Sequence, residues 1–420
     1  MPNRMQGTRS FLKAFVFIAL AATPVYFFSI IYKYAANVPY WDDYSAILDF
    51  LIRYQDAEGA FQRLGMLFAQ HNEHRIALGN LATLVMYELT GTVDFRAMIF
   101  FGNAALLGMV LVFYRMFDAD VRKPLYFIPV VFFLFQFQFG HTIFWAMASV
   151  SNFYVLLFTF SSLLVLEKGG RPFYMAAFLL AALASVTQGS GIFALVSCAL
   201  LLLLKKDLRG LAAWGALSAV VLALYFGFYE KPPEHPSMVK AVFEEPVNTV
   251  EYFFTLAGAS FPFPFIAGLV FAVLFVLLTF KGYYRKNPAL YCGLVYVFLT
   301  VAATSLARSG LGIEGALSSR YKIVSALFPI LLYMAFFEHF KEKTPWRRVF
   351  FPAVLAGALV FNIHANATET YKARNLYNLL TEGMKWWVTG APSLKYPDQE
   401  TANRILVESI ERGIYKPDFR

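Results

Sequence analysis

Charge is the scarcest commodity in this chain. Asp, Glu, Lys and Arg make up 15% of its 420 residues, against 59% hydrophobic residues. A soluble domain carries roughly a quarter charged and about half apolar residues. That balance excludes a cytosolic enzyme, a secreted scaffold and a disordered segment. Cysteine is also rare. Cys198 and Cys292 both sit inside apolar runs, so neither a disulfide framework nor a cysteine zinc site can be built. The phosphate-cradling motif GxxxxGKS/T is missing too, which disfavours nucleotide-dependent catalysis. No sequence repeat and no low-complexity tract interrupts it.

What the chain has instead is a succession of apolar runs near the ~20 residues needed to cross a bilayer as a helix. They fall at about 12–34, 95–117, 124–140, 150–166, 172–187, 190–204, 210–229, 262–280, 288–306, 322–339 and 349–365. The expected fold class is all-α: a polytopic membrane helix bundle of about eleven transmembrane helices. Several middle runs are short, which leaves a re-entrant alternative open for them. The stretch 76–90 is apolar as well, but it is short and carries Asn80 and Glu88; it reads as an interfacial helix. If it crossed, every later orientation would invert.

The net charge of +9 has a sidedness. With the N-terminus cytoplasmic, half of the 36 basic residues fall on short inner segments, from Arg4, Arg9 and Lys13 to Lys341, Lys343, Arg347 and Arg348. Only six acids accompany them: Asp118, Asp120, Glu167, Asp207, Glu338 and Glu342. This is the positive-inside pattern, so the basic excess is a topology signal and no nucleic-acid partner is expected. The first run is too long for a signal-peptide core and reads as an uncleaved first helix. The expected location is the inner (plasma) membrane.

The outer side holds the substantial loops. The first, 35–94, is amphipathic in two pieces. Residues 43–54 place Ile47, Leu48, Leu51 and Tyr54 on one helical stripe, and 58–69 do the same with Phe61, Leu64, Leu67 and Phe68. Both read as helices lying on the outer surface. A second outer loop, 230–260, opens with a proline-rich break at 230–236. A third spans 307–321. The chain then divides into a transmembrane domain, 1–365, and an extracytoplasmic tail, 366–420, with short helices expected within it. The inner loops are too short to hold a site, so chemistry is expected at the outer face.

Four groups of residues there can carry it. Trp41-Asp42-Asp43-Tyr44 follows the first run. A carboxylate near apolar surroundings gains proton affinity, which suits a general base; an aspartate here equally suits an N-cap of the next helix, with the aromatics in an interfacial belt. Gln70-His71-Asn72-Glu73-His74-Arg75 concentrates six polar residues between apolar runs. Two histidines and one carboxylate make a weak metal set; the alternatives are hydrogen bonding to sugar hydroxyls, support of the aspartates, or a solvated turn. Arg308, Arg320 and Tyr321 flank the third outer loop, where arginine suits phosphate recognition or anchors a span by snorkelling. Finally, Gln136, Gln138, His141, Trp145, Ser151, Asn152 and Gln188 collect near outer ends of apolar runs. Singly each suits helix–helix glue; together they suggest a polar cavity opening outward.

An apolar first run followed by an outer loop with Asp42-Asp43, amphipathic helices in that loop, about eleven spans and a polar outer tail resembles the GT-C superfamily of integral-membrane glycosyltransferases. The architecture covers the full length; the diagnostic motif is a short acidic pair. The resemblance implies a polyprenyl-phosphate-linked sugar as donor, transfer to a cell-envelope glycan or lipid acceptor at the extracytoplasmic face, and Asp42 or Asp43 as base. It also implies a donor synthase and a flippase as partners beside the lipid bilayer. The length is more similar to bacterial lipopolysaccharide- or teichoic-acid-decorating enzymes than to oligosaccharyltransferases, and Trp386-Trp387, followed by Val388 and not by an aspartate, also argues against the latter. Donor phosphate binding is expected at Arg320 and Arg308, and substrate contacts at His71, Glu73, His74, Arg75, His141, Gln188 and Tyr321. A divalent cation, magnesium or manganese, is the alternative to arginine for stabilising the departing phosphate. No cofactor is otherwise expected.

Two other classes compete. A polysaccharide polymerase or ligase has a similar span count but relies on arginine-rich loops late in the chain, whereas the acids here cluster in the first loop. A transporter or flippase of lipid-linked sugars places charge at mid-membrane and often shows inverted repeats; here the polar residues collect at span ends.

Overall fold

The computed structural model describes residues 2–227, 229–232, 236, 238–340, 344–391 and 393–418. Residues 233–235 of the proline-rich break, and Lys341 and Lys343 of the expected inner loops, lie outside the described residues, as do the side chains of Arg4, Arg9 and Lys13. The chain is helical almost throughout. In order the helices are α1 (Pro2–Tyr34), α2 (Asp49–Asp56), α3 (Gly59–Leu67), α4 (Ala77–Thr90), α5 (Phe95–Met116), α6 (Lys123–Tyr126), α7 (Ile128–Leu134), α8 (Gly140–Ile143), α9 (Ala146–Glu167), α10 (Arg171–Thr187), α11 (Ile192–Leu204), α12 (Leu208–Phe226), α13 (Met238–Phe243), α14 (Pro246–Ala257), α15 (Pro264–Phe280), α16 (Pro288–Arg308), α17 (Lys322–Phe340), α18 (Thr344–Val388) and α19 (Gln399–Glu411). One two-stranded hairpin, β1 (Gln70–His71) and β2 (His74–Arg75), is the only sheet among the described residues.

Among the described residues, seven helices are long and apolar enough to cross a membrane: Ala14–Tyr34, Phe95–Met116, Ala146–Glu167, Leu208–Phe226, Pro288–Leu311, Ser319–Phe340 and Pro345–Val388. Four shorter apolar helical stretches lie at Lys123–Leu134, Arg171–Thr187, Gly189–Leu204 and Pro264–Phe280. Each expected run falls on one of these eleven, but length alone qualifies only seven. Large apolar side chains stand exposed along the flanks, among them Phe17, Ile18, Val25, Leu111, Leu179, Val220, Leu224 and Val276. An apolar surface of that extent is what lipid covers and water does not tolerate. The protein is an all-α membrane protein.

Close packing at the centre depends on small residues. A Cβ on Gly102 of α5 would come within 2.2 Å of Ser149 Oγ on α9, so glycine is what lets these two helices approach. The run 124–140 is not one helix. α7 stops at Leu134, and Asn362 of α18 donates its side-chain amide to the freed carbonyls of Phe132 (2.7 Å) and Phe135 (2.8 Å). Broken backbone inside an apolar bundle needs such partners.

Contacts at the helix ends sort into two groups, one at each end of the bundle. At one end Glu338, buried, accepts Asp118 N–H (2.8 Å) and the Tyr283 hydroxyl (2.6 Å). Asn287 donates to it at 3.1 Å while its own carbonyl oxygen caps α16. At the other end lie the first long loop, the α7–α9 connection, the turn between α10 and α11, and the α16–α17 connection. The two amphipathic pieces of the first loop part company there. Ile47, Leu48 and Leu51 are buried in the protein core, whereas α3 buries nothing and leaves Phe61 92% exposed. Segment 43–54 begins as a wide π-helical turn, Tyr44–Leu48, before α2.

α18 runs 45 residues without a break through position 365/366, so the last apolar run and the start of the expected tail are one continuous helix. The chain then folds back. α19 packs on the turn at Tyr44–Leu48 and on α2. Val93 N–H bonds Ile414 O (2.7 Å), and the Tyr415 hydroxyl bonds Asn37 O (2.7 Å). Arg412 makes a two-pronged pair with Asp56 at 2.6 and 3.0 Å.

Candidate active site

The two adjacent aspartates face different ways. Asp43 is buried, with Oδ1 accepting Met147 N–H (2.9 Å) and Oδ2 accepting Tyr40 N–H (3.1 Å). It caps no helix of its own. Instead it supplies an acceptor to the first turn of α9, whose own N-cap residue, Trp145, offers none. Burial pushes its carboxyl up to about 8, against these backbone donors, which pull it down. Asp42 is the more open of the two, its side chain about a quarter exposed, and its Oδ2 stands 3.8 Å from His71 Nε2. That is longer than a hydrogen bond, and such contacts tighten on substrate binding. The residue between Tyr40 and Asp42, Trp41, sits at φ 48°, with its N–H held by Lys395 O at 2.9 Å. A tryptophan in the left-handed region is strained, and strain of this kind collects at functional positions.

The polar run 70–75 is the hairpin β1–β2, with His71 opposite His74 and Gln70 opposite Arg75. Asn72, in its turn, takes φ 50°, a conformation asparagine tolerates better than most residues. Alternation across the strands explains the division of labour. His71 and His74 share one face: His71 meets Asp42, and His74 Nδ1 lies against Gly189, where a Cβ would come within 2.5 Å. Arg75, on the other face, is buried and spends its guanidinium on backbone, donating to Tyr225 O (3.0 and 2.8 Å) and Phe68 O (2.6 Å). Its expected place among substrate ligands becomes a structural one, holding the end of α12 to the hairpin. Glu73, at the turn, lies 3.6 Å from His74 Nε2 and pairs with Arg308 of α16. Arg308 also hydrogen-bonds Tyr321.

Three of the four sequence groups therefore meet: the acidic pair, the hairpin, and Arg308 with Tyr321. Gln188 adjoins them through Gly189, but its side-chain oxygen accepts Ser190 N–H (2.8 Å) and the Ser190 hydroxyl, capping a short 3-10 turn. Arg320 stays apart. It is exposed, its guanidinium lies 4.9 Å from the centroid of the Tyr321 ring, and it makes no ion pair among the described residues. Ser151 and Asn152 hydrogen-bond back onto their own helix, to Met147 O and Ala148 O, so these bonds join no second helix. His141 approaches the acidic loop from the far side, its ring edge-on to Tyr40 at 6.4 Å between centroids, and Tyr40 packs edge-on against Trp145 at 5.6 Å. Burial first, then the charge of Lys372, holds the His141 pKa below its usual value, which favours the neutral imidazole. His71 Nε2 and Trp145 Nε1 are buried without a hydrogen-bond partner among the described residues; polar atoms in that position await one from a ligand or water.

Lys372 and Glu369 escaped the sequence reading. Both lie on the extension of α18, where the chain looked like a detached tail; their spacing of three on a helix was the only signal. As for a divalent cation, no group of three His, Cys, Asp or Glu side chains converges among the described residues, and Glu73, the carboxylate between the two histidines, is already paired with Arg308.

Comparison with protein-family models, with curated proteins and with solved structures finds no match to this chain.

Proposed function

We propose that the protein is a membrane glycosyltransferase of GT-C type. It moves a sugar from a polyprenyl-phosphate-linked donor to a cell-envelope glycan or lipid acceptor. In this reading all eleven apolar segments traverse the inner membrane, the N-terminus is cytoplasmic and the site is extracytoplasmic. The observation that carries it is the division between the aspartates: Asp43 serves the fold, which leaves Asp42, beside His71 and open to solvent, as the group that can take a proton.

Asp42 accepts the proton of the acceptor hydroxyl as that oxygen attacks the anomeric carbon. The bond from that carbon to the donor phosphate breaks, the phosphate leaves with the electron pair on the lipid, and a single displacement inverts the anomeric centre. His71 orients Asp42. Glu73 and Arg308 hold the hairpin that presents His71. The flanking apolar surface supports lateral arrival of a lipid-linked donor through the bilayer.

The test uses purified protein in lipid with a panel of polyprenyl-phosphate sugars and cell-envelope glycan acceptors, following sugar transfer in wild type and Asp42→Asn. Transfer by wild type that collapses in the variant, with melting behaviour unchanged, supports the reading. Transfer undiminished in Asp42→Asn removes the assigned base, and consumption of no donor in the panel removes the transferase.

A further inference from the structure

The end of α18 and the start of α19 border a cavity of 260 Å³, bridged by the connection between the two helices. Among the described residues it is lined by Trp387, Gly390, Ala391, Leu394, Gln399 and Asn403. It shares no lining residue with the acidic loop or the hairpin. It lies at the same end of the bundle, since Leu394 precedes Lys395, whose carbonyl holds Trp41 N–H at 2.9 Å.

The walls of the cavity are tied together. Trp387 Nε1–H donates to Asn403 Oδ1 (2.8 Å), which joins the end of α18 to α19. Gln399 is spent on the connection: its Oε1 accepts Leu394 N–H (3.1 Å), and its Nε2 donates to Leu394 O (2.7 Å) and Tyr396 O (2.8 Å). That bracing holds the floor, where Leu394 is buried. Gly390 turns the chain at φ 92°, and a Cβ there would meet nothing within 4 Å, so the side beneath the turn stays open. Two groups are left for a ligand. One is the partly exposed indole of Trp387; the other is Asn403 Nδ2, which makes no hydrogen bond among the described residues.

Three properties describe what fits. No charged side chain lines the cavity among the described residues, so an ion entering it would find no counter-charge, and the ligand is neutral. The volume is below the ~300–1,000 Å³ of pockets that enclose a drug-sized molecule. It therefore takes one ring-sized unit and leaves the rest of a longer molecule outside. An indole face beside a carboxamide offers apolar area next to hydrogen-bonding atoms. A pyranose has the matching surface: C–H groups on one face, and hydroxyls around its rim that both donate and accept.

We propose that this cavity docks one neutral sugar residue of a glycan chain, its C–H face on Trp387 and a rim hydroxyl accepting from Asn403 Nδ2. The site is separate from the Asp42–His71 pair and does not need the transferase reading. It serves to hold a glycan against the outer end of the bundle, whatever is done to that glycan elsewhere.

The experiment measures binding of maltotriose, cellotriose and triacetylchitotriose to the full-length protein, by calorimetry and ligand-observed NMR, in a zwitterionic detergent without a sugar headgroup. Trigalacturonate and cyclohexanol are the charged and the apolar comparisons. The variants are Trp387→Ala, Trp387→Phe, Asn403→Ala and Trp386→Ala, each checked by size-exclusion profile and melting curve. At least one neutral trisaccharide should bind at millimolar concentration, more tightly than trigalacturonate or cyclohexanol. Trp387→Ala should weaken it roughly 10-fold, the loss of the aromatic face, and Trp387→Phe should keep more of the affinity than Trp387→Ala. Asn403→Ala should weaken it roughly 3- to 10-fold, the loss of a neutral hydrogen bond. Trp386→Ala, an exposed ring outside the cavity, should leave it unchanged. Binding of none of the three trisaccharides overturns the site, as does binding that survives both Trp387→Ala and Asn403→Ala in folded protein; since Asn403 is exposed, its variant keeps the test open if Trp387→Ala does not fold. Tighter binding of trigalacturonate overturns the neutral ligand, and equal binding of cyclohexanol overturns the sugar. Trisaccharide binding lost in Trp387→Ala, with no sugar transfer from any donor, leaves this site standing without the enzyme.

Discussion

His71 Nε2 stands 3.8 Å from Asp42 Oδ2, while Asp43, one residue on, points away and receives the backbone of α9. This contact carries the first prediction. Asp42→Asn should lower sugar transfer by roughly 10²- to 10⁴-fold, the usual contribution of a positioned general base, with donor binding and melting temperature near wild type. His71→Gln should cost less, since it removes the partner of the base and leaves the base itself. Parallel transfer assays on both variants decide it. A His71→Gln defect larger than that of Asp42→Asn would reverse the assigned roles.

Asp43 should behave as a structural group with a pH signature. Its carboxyl is raised from an ordinary 3.8 to about 8 by burial. The folded protein therefore binds a proton at this position more tightly than the unfolded chain. The stability this contributes is fully present below about pH 4 and is lost as pH rises through about 8. Asp43→Asn mimics the protonated form and loses one of two acceptor contacts, worth about 1–2 kcal/mol. Wild type should then lose stability relative to Asp43→Asn throughout the rise from about pH 5 to 8. Melting curves of both proteins across that range in one detergent check it; a wild type that gains on the variant as pH rises would mean that the backbone donors, and not burial, dominate.

The sequence disclosed the elements far better than their meetings. Apolar length marks α1, α5, α9, α16 and α17 because a long lipid-facing helix needs a continuous apolar run, and composition records that directly. It misplaced the run 124–140, where the helix breaks after Leu134; the break is stabilised by Asn362, more than two hundred residues away, and no local pattern contains that partner. The same limit applies at the site. Spacing singled out both Asp42-Asp43 and the 70–75 run, yet which aspartate faces His71 depends on the start of α9. Which residues of the hairpin face the site follows from a strand period that a two-residue strand is too short to display. Arg308 and Glu73 were each noticed separately. Their pairing is a tertiary fact.

That pair gives the third prediction. Glu73 and Arg308 side chains are only 20% and 14% exposed, and each is the other's counter-charge at the joint between the hairpin and α16. Removing either leaves a partly buried charge without its partner, so Glu73→Gln or Arg308→Gln should destabilise the protein by about 1–3 kcal/mol. The double variant should cost less than the sum of the two. Arg308→Lys should restore only part of the loss, because the planar guanidinium also reaches Tyr321. A double-mutant cycle read by thermal or denaturant unfolding measures the coupling; strict additivity would mean that the two side chains do not hold the joint.

The last prediction concerns the returning C-terminal segment. Trp41, strained at φ 48°, is held by Lys395 O, and Tyr44 packs against Tyr396 at 5.5 Å between ring centroids. Further along, Tyr415 is buried, its hydroxyl on Asn37 O and its ring against Phe95. The loop that carries Asp42 is therefore held at several points by the returning chain, through Lys395, Tyr396 and Tyr415. Tyr415→Phe removes one buried hydrogen bond and should cost about 1–2 kcal/mol while leaving transfer nearly intact. Deleting 399–420 removes α19 and Tyr415 together. It should expose the 35–60 region to limited proteolysis and lower transfer at least as far as Asp42→Asn does. By contrast, Arg412→Ala breaks an exposed ion pair and should leave stability nearly unchanged. Proteolysis time courses and transfer assays on the three variants separate the outcomes. If the deletion variant retains both protection and activity, the tail is only an appendage, and the acidic loop holds its shape through α9 and the hairpin alone.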